Sequence, residues 1–365
     1  MKVVPAIFKL DTIDPADSVE FCPHPAASNV VVCGTYKLQQ ADPECSVDIQ
    51  DVQEEPFSVG QKRTGKCLAF EVANGDQLNQ IQEISLPAVP DMKWCHRDVS
   101  VNPVLGIADS EGNVSLYEMK IDDKRFSQVQ SLRIAPSHVL CLSLDWSNRR
   151  TPSSGLGSLV VSLSDGSLAL LVPGQSGLSP EHIWHAHDFE PWIAAWNYWD
   201  INIIYSGGDD LKMKAWDIRS GFTQPVFTNK RFDAGVTTIQ SHPFVEHLLA
   251  VGSYDNTVRL FDARKPLTPL TQVDVGGGAW RVKWHPSKKR KDDLLVACMH
   301  NGCKVIHFNL TGNGLAEGGE VIQHFDKHKS MAYGADWSYT EENTNQETLV
   351  ASCSFYDHVL YTWRA

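Results

Sequence analysis

The sequence predicts an all-β chain closed into a seven-bladed propeller, and three observations carry that prediction. The first is the stretch HAHDFEPWIAAWNYWDINIIYSGGDDLKMKAWDIR, from His185 to Arg219. It breaks into short apolar runs separated by turn residues, the second run ending in Ser206-Gly207-Gly208-Asp209-Asp210 and the third in Trp216-Asp217. That is the pattern of one blade of a WD40 β-propeller. The second observation is repetition. Aligning the end of the first strand of each unit gives the column Phe21, Trp94, Trp146, Trp196, Ser241, Trp284 and Trp337, at spacings of 73, 52, 50, 45, 43 and 53 residues. The shortest spacings match the roughly 40–45 residues of a four-stranded blade, and loops absorb the excess. The third is that no residues follow Trp363 to build an outer strand for the last unit, whereas VVPAIFKL stands ahead of the first. An N-terminal strand closing the last blade removes the exposed sheet edges of an open ring.

The units follow in order. Unit one reads DSVEFCP, VVVCGTY and CLAFEV, with a polar insertion at 38–64 whose centre, QADPECSVDIQDVQEEP, is acidic and poor in apolar residues. A mobile loop is expected there. Unit two is DMKWCH, PVLGIADSEG and VSLYEM; unit three is LCLSLDWS, SLVVSLSDG and LALLV; unit four is the opening stretch. Unit five is VTTIQSHP, LLAVGSYD and TVRLFD; unit six is WRVKWHP, LLVACMH and CKVIHFNL; unit seven is YGADWS, TLVASCSFYD and VLYTW. The expected organisation is a single propeller domain over 1–365.

Composition narrows the function classes. A hydrophobic fraction of 42% and a charged fraction of 21% suit a globular protein with a substantial core. No apolar run approaches the roughly 18–20 residues of a membrane span, and Pro5 and Lys9 break the N-terminal run, against a secretory signal. The nine cysteines include no Cys-x-x-Cys pair and sit mostly within apolar strand patterns, which suits a reducing, cytoplasmic location and gives no metal-ligand spacing. A net charge of −12 argues against nucleic acid as a direct ligand. The one basic run, Lys288 to Lys291, falls between strands and reads as a solvated loop. No cofactor is called for, and a monomer is expected.

Some residues invite chemistry they need not perform. His187, Ser206, Asp210 and Trp216 fill the positions of a buried polar network in a WD blade; His328, Asp357 and Trp363 repeat it in unit seven, and Asp165 and Asp255 take the turn position in units three and five. A His–Ser–Asp set suggests a catalytic triad, but a satisfied network that braces the blade is the simpler reading. GQSGL at 174–178 lacks the second Gly of a nucleophile elbow. Gly276 to Gly278 lead into a strand, so no helix N-terminus is there to cradle an anion.

Two columns of residues are expected to face the axis at one end of the ring. Four residues before the aligned column stand Asp17, Pro90, Leu142, Trp192, Thr237, Trp280 and Tyr333; just before the turn stand Tyr36, Ser110, Ser164, Asp209, Tyr254, His300 and Tyr356. Aromatics, carboxylates and one His dominate, no Lys or Arg is among them, and Glu190 adds an acid near the rim. Aromatic faces with acids suit a cation such as a quaternary ammonium; they equally suit general peptide binding, since aromatics anchor interfaces. Composition leaves both open.

DMKWCH (91–96), FEPWIAAWNYW (189–199), YSGGDD (205–210), GGAWRVKWHP (277–286), ACMH (297–300) and YGADWS (333–338) resemble the WD-repeat diphthine methylesterase family, also called diphthine methyltransferase. SVEFCP and CGTY extend the likeness into unit one. The resemblance implies hydrolysis of the methyl ester of methylated diphthine on elongation factor 2, a step of diphthamide biosynthesis, in the cytoplasm. The substrate's trimethylammonium group meets the aromatic and acidic ring at that point. No Gly-rich strand–turn–helix suggests a methyl-donor site. Catalytic residues are expected at His300, or His285 if the register slips, as general base. Glu190 or Asp209 would orient it, and Arg281 or backbone N–H groups would stabilise the oxyanion. Cys298 is an alternative nucleophile whose apolar neighbours favour a core thiol. Trp192, Tyr254, Trp280, Tyr333 and Tyr356 are expected to bind substrate. The rival reading is a non-enzymatic scaffold for protein partners.

Overall fold

In a computed structural model, which describes residues 1–39, 62–311 and 316–365, the strands assemble into seven sheets arranged as the blades of a propeller. The innermost strands are Ala16–Phe21, Asp91–Cys95, Cys141–Trp146, Ile193–Trp196, Val236–Ser241, Arg281–Trp284 and Ala332–Trp337. Each pairs outward with an antiparallel meander, as Ile203–Gly207, Met213–Asp217 and Phe227–Asn229 do in blade four. Among the described residues the only helical pieces are two single 3-10 turns, Pro25–Ala27 and Lys288–Arg290, and no helix is long and apolar enough to cross a membrane. The basic run thus forms a one-turn cap behind Ser287, whose Oγ accepts the Lys289 N–H.

The ring closes through the N-terminus. Ala6–Asp11 lies antiparallel to Val359–Arg364 and supplies the fourth strand of blade seven. The terminus also does something the sequence reading did not anticipate: Lys2–Val3 pairs in parallel with the outer strand Ala316–Phe325 of blade six, and Val4 is buried. One segment therefore ties two blades. The insertion expected at 38–64 is bracketed by Lys37 and Leu38 pairing with Thr64 and Arg63; its centre, 40–61, lies outside the described residues.

The aligned Trp column cements neighbouring blades. Each ring is fully or nearly fully buried, and three indole N–H groups donate to a backbone carbonyl of the preceding blade: Trp146 to Lys93 at 2.9 Å, Trp196 to Asp145 at 3.1 Å, and Trp337 to Lys283 at 2.9 Å. Ser241, the non-aromatic member, makes the same bond with its hydroxyl, to Trp196 O at 3.1 Å. A propeller also exposes the inner edge of every blade to the axis, and buried backbone N–H groups need partners. Side chains of the preceding blade supply them. Asp91 accepts from Leu144 N (3.1 Å), Ser143 from Ala194 N (2.9 Å), Asp145 from Trp196 N (2.8 Å), Gln240 from Trp284 N (2.7 Å) and Asp336 from Phe21 N (2.8 Å). Lys93 and Lys283 neutralise this acid-rich layer, both reaching Glu20, at 2.8 and 2.5 Å.

Candidate functional site

At one end of the axis the described residues enclose a cavity of about 470 Å³. Its wall is built from the starts of the inner strands and the turns that follow the second strands. From the first come Asp17, Pro90, Leu142, Trp192, Trp280 and Tyr333; from the second come Tyr36, Ser164 and Tyr254. The rings touch in sequence around the axis: Trp192 and Trp280 have centroids 5.4 Å apart, Trp280 and Tyr333 4.9 Å, Tyr333 and Phe355 5.6 Å, and Phe355 and Tyr36 6.0 Å. Tyr254 abuts Trp280 at 5.8 Å. The edges of the arc carry Glu190, exposed at the rim, and Arg63.

The axial columns expected from the sequence are thus largely brought together, with instructive departures. Tyr356 is 69% exposed and Phe355 takes its place on the wall, a slip of one residue in the turn. His300 does not reach the cavity. The chain turns at Met299, in the left-handed region at φ 47°, the Met299 carbonyl accepts the Ala332 N–H at 2.9 Å, and His300 is left exposed to solvent. Thr237 and Ser110 are buried beside the cavity rather than in its wall. Asp209 stands behind the wall, next to the Trp192 indole N–H, which finds no partner in hydrogen-bond geometry; burial, with Glu190 adding to it, raises the Asp209 pKa. Gly208 makes this approach possible, because a Cβ there would come within 2.5 Å of the Glu190 carbonyl, which accepts the Asp209 N–H at 3.0 Å.

Arg281 was expected to stabilise an oxyanion. The structure sets its guanidinium beneath the cavity: it stacks on Trp280 at 5.3 Å, donates to the carbonyls of Thr237 (3.3 Å) and Trp280 (3.4 Å), and lies 4.0 Å from Asp91. It is not among the residues that line the cavity. His285, the alternative base, is buried at the opposite end of its strand. Its Nε2 meets Thr348 Oγ1 at 2.9 Å, its Nδ1 accepts the Ser287 N–H at 3.0 Å, and burial pulls its pKa down to about 3. Cys298 is fully buried and its thiol is pushed above the ordinary range, so a thiolate nucleophile is disfavoured.

The His–Ser–Asp sets are skeletons. His187 Nδ1 faces Asp210 at 2.8 Å, His187 Nε2 faces Ser206 Oγ at 2.7 Å, and the Trp216 indole donates to the same oxygen at 3.0 Å. Asp210 is held below the usual carboxylate range and can only accept, so Nδ1 carries the proton of the neutral ring and Nε2 accepts from the Ser206 hydroxyl. Every polar atom of the ring is occupied and His187 is buried. In blade seven His328 bonds Ser354 and Ser352, both at 2.7 Å, and Trp363 donates to Ser352 at 3.0 Å.

Three wall residues escaped the sequence reading. Arg63 begins a strand that starts well before its apolar run CLAFEV, and Leu140 precedes its own strand, so neither fell in an aligned column. Phe355 lay one residue from the position chosen. Asp17, expected on the axis, lines the cavity. It is part-buried, and burial raises its pKa to about 7, with Arg281 opposing and Asp91 adding to the rise.

No family model matches the chain. It is 38% identical over 342 residues to mouse diphthine methyltransferase, covering 90% of this chain and 69% of the mouse protein. It is 34% identical over 380 residues to the diphthine methyltransferase homolog of Dictyostelium discoideum, covering 95% and 96%. It is 29% identical over 335 residues to diphthine methyltransferase of Schizosaccharomyces pombe, covering 92% and 90%. Among solved structures, a chain of the mitotic checkpoint complex superposes on all of this chain and 93% of its own length, with a TM-score of 0.67 at 15% identity, a likeness of fold alone.

Proposed function

This chain belongs to the diphthine methyltransferase family, and we propose that it acts in diphthamide biosynthesis by hydrolysing the methyl ester of methylated diphthine on elongation factor 2. The observation that carries the reading is the unbroken arc of rings from Trp192 to Tyr36, with carboxylates at Asp17 and Glu190. The substrate side chain bears a trimethylammonium group. Such a cation has no N–H to donate, so it is held by ring faces and by nearby negative charge rather than by hydrogen bonds. The cavity, at about 470 Å³, lies within the roughly 300–1,000 Å³ of small-ligand sites and accepts one long side chain presented by a protein.

Hydrolysis is favoured over methyl transfer by what the fold offers. The described residues contain no α-helix, hence no strand–turn–helix cradle of the kind that commonly binds a nucleotide-derived methyl donor. The described cysteines are unpaired and buried, which supports action in the reducing cytoplasm, where translation factors reside. The test is direct. Purified protein is incubated with elongation factor 2 carrying methylated diphthine, and the modified peptide is followed by mass spectrometry. Catalytic conversion of the ester to the free acid, with release of methanol, is expected. Tight binding with an unchanged ester would make the protein a docking module instead.

A further inference from the structure

The axis of this propeller is rich in acids, and among the described residues Asp91, Glu20, Asp145 and Asp336 of the inner layer are all paired. Asp91 holds the Lys93 ammonium at 2.6 Å and the Leu144 N–H at 3.1 Å; Glu20 holds Lys93 and Lys283; Asp145 and Asp336 each accept a backbone N–H at 2.8 Å. Asp17 differs. It lies on the same inner strand as Glu20, Ala16–Phe21, at the register irregularity between Ala16 and Ser18, yet among the described residues no hydrogen bond or salt bridge reaches its carboxyl. Leaving a part-buried carboxyl unpaired costs stability, and it points into the cavity rather than into the network. The other cavity acid, Glu190, is exposed to solvent at the rim.

We propose that Asp17 is the catalytic residue of this cavity, the general base that activates a water molecule for attack on the ester; the assignment rests on the ester-hydrolase reading above. In methylated diphthine the trimethylammonium and the ester occupy the same carbon, so a group beside the aromatic arc that holds the one is within reach of the other. Water forms the new C–O bond to the ester carbonyl carbon while its proton passes to Asp17. Collapse of the tetrahedral intermediate breaks the bond to the methoxy oxygen, which takes that proton from Asp17 and leaves as methanol. The carboxylic acid product then releases its own proton to solvent.

The surroundings suit the task. The groups electrostatically coupled to Asp17 are Arg281 from blade six, Asp91 from blade two, Tyr36 from blade one, Tyr254 from blade five, and Tyr333 and Cys353 from blade seven. Burial pushes the phenols and the thiol upward, Tyr333 to about 12, so near neutrality Arg281 and Asp91 are the charged neighbours and they oppose each other. A base whose pKa lies near the working pH combines availability with driving force. The incoming ammonium favours the ionised carboxyl, so substrate binding itself readies the base.

The test compares wild type, Asp17→Asn and Asp17→Glu in single-turnover hydrolysis of methylated elongation factor 2 from about pH 5 to pH 9, alongside the dissociation constant for the same substrate. Wild-type kcat/KM is expected to rise through about pH 7 and level off. Asp17→Asn should lose about 100-fold or more in kcat, well beyond the weaker binding that removal of one carboxylate from the arc brings, with no residual titration. Asp17→Glu, which keeps the carboxyl, should retain a pH-dependent rate with a displaced midpoint, and this covers the case in which Asn disturbs folding. A fully active Asp17→Asn, or a loss confined to binding, overturns the assignment and makes Asp17 a counter-ion. A wild-type protein that leaves the ester intact overturns the esterase reading and the assignment with it.

Discussion

Trp280 is the ring whose removal tests the cation cage most sharply. It is in contact with Trp192 (5.4 Å), Tyr333 (4.9 Å) and Tyr254 (5.8 Å) on the cavity side, and Arg281 stacks on it at 5.3 Å. A cation over an indole face contributes about 0.5–1 kcal/mol where exposed and about 2 where desolvated. At about 1.4 kcal/mol per tenfold, Trp280→Ala should therefore weaken cation binding by about 2- to 30-fold. Lost apolar surface would weaken any ligand, so affinity alone does not isolate the effect of charge. A matched pair does: the methyl ester of trimethylglycine and methyl 3,3-dimethylbutanoate, which replaces the ammonium nitrogen with carbon at nearly constant shape. Calorimetric titration should show the wild type preferring the cation and Trp280→Ala bringing the two toward parity, while Trp280→Phe keeps part of the preference. Apolar burial affects both members of the pair alike and cancels in the ratio. If the wild type binds both equally, or if the ratio survives Trp280→Ala, the arc is a hydrophobic anchor and the cation argument fails.

Three further outcomes are expected. Asp17 retains a proton in the fold that it releases when unfolded, since its pKa rises from 3.8 to about 7, so its contribution to stability is lost as pH climbs through that window. Urea unfolding should find Asp17→Asn more stable than wild type above about pH 7, by at most about 4 kcal/mol, with the difference vanishing near pH 4; no gain at high pH would contradict the strain assigned to this carboxyl. Ser206→Ala strands both His187 Nε2 and the Trp216 indole, and should cost about 1–3 kcal/mol in denaturant midpoint while leaving cation affinity unchanged; loss of binding in a stably folded variant would move that set into the site. Deleting residues 1–11 bares the Val359–Arg364 edge and the pocket filled by Val4, and should lower the thermal midpoint and promote aggregation; an unaltered melting curve would show that the terminal strand is not the clasp of the ring.

The fold was legible because its signals are local. Each blade repeats an apolar alternation that sets strand faces, a turn residue at a fixed offset and, in most units, a Trp whose burial between blades needs no knowledge of its partner. The axial columns followed from the same periodicity, which is why Trp192, Trp280, Tyr254 and Tyr333 arrive where expected. The departures occur where the chain leaves the period. A turn gives no alternation to anchor a register, so Tyr356 and Phe355 exchange places, and the left-handed Met299 swings His300 outward. Gly208 and Asp209 show the opposite case: the Gly-Gly-Asp-Asp turn was visible as a turn, but the carbonyl that excludes a side chain at 208 belongs to Glu190.

The role proposed for Asp17 was illegible for a deeper reason. What marks it is not its own neighbourhood in the sequence but the pairing state of the acids around it, and those pairs span the ring: Lys283 reaches Glu20 across 263 positions and Phe21 is held by Asp336 across 315. Periodicity can place Asp17 on the axis, yet it gives no means to tell a carboxyl that caps the next blade from one that caps nothing. The inner edge of every blade demands an acceptor, and most axial acids satisfy that demand. An acid released from it is free to face the cavity only because Lys93, Lys283 and Arg281 already balance the layer below. Neutralising that layer differently, for instance with Lys93→Met, should therefore alter the titration of Asp17 without touching the cavity wall. With one cation gone, the negative charge left beside Asp91 raises the midpoint of the pH–rate profile. An unmoved midpoint in a folded Lys93→Met variant would show that the base is insulated from the network and that its basicity is set by burial alone.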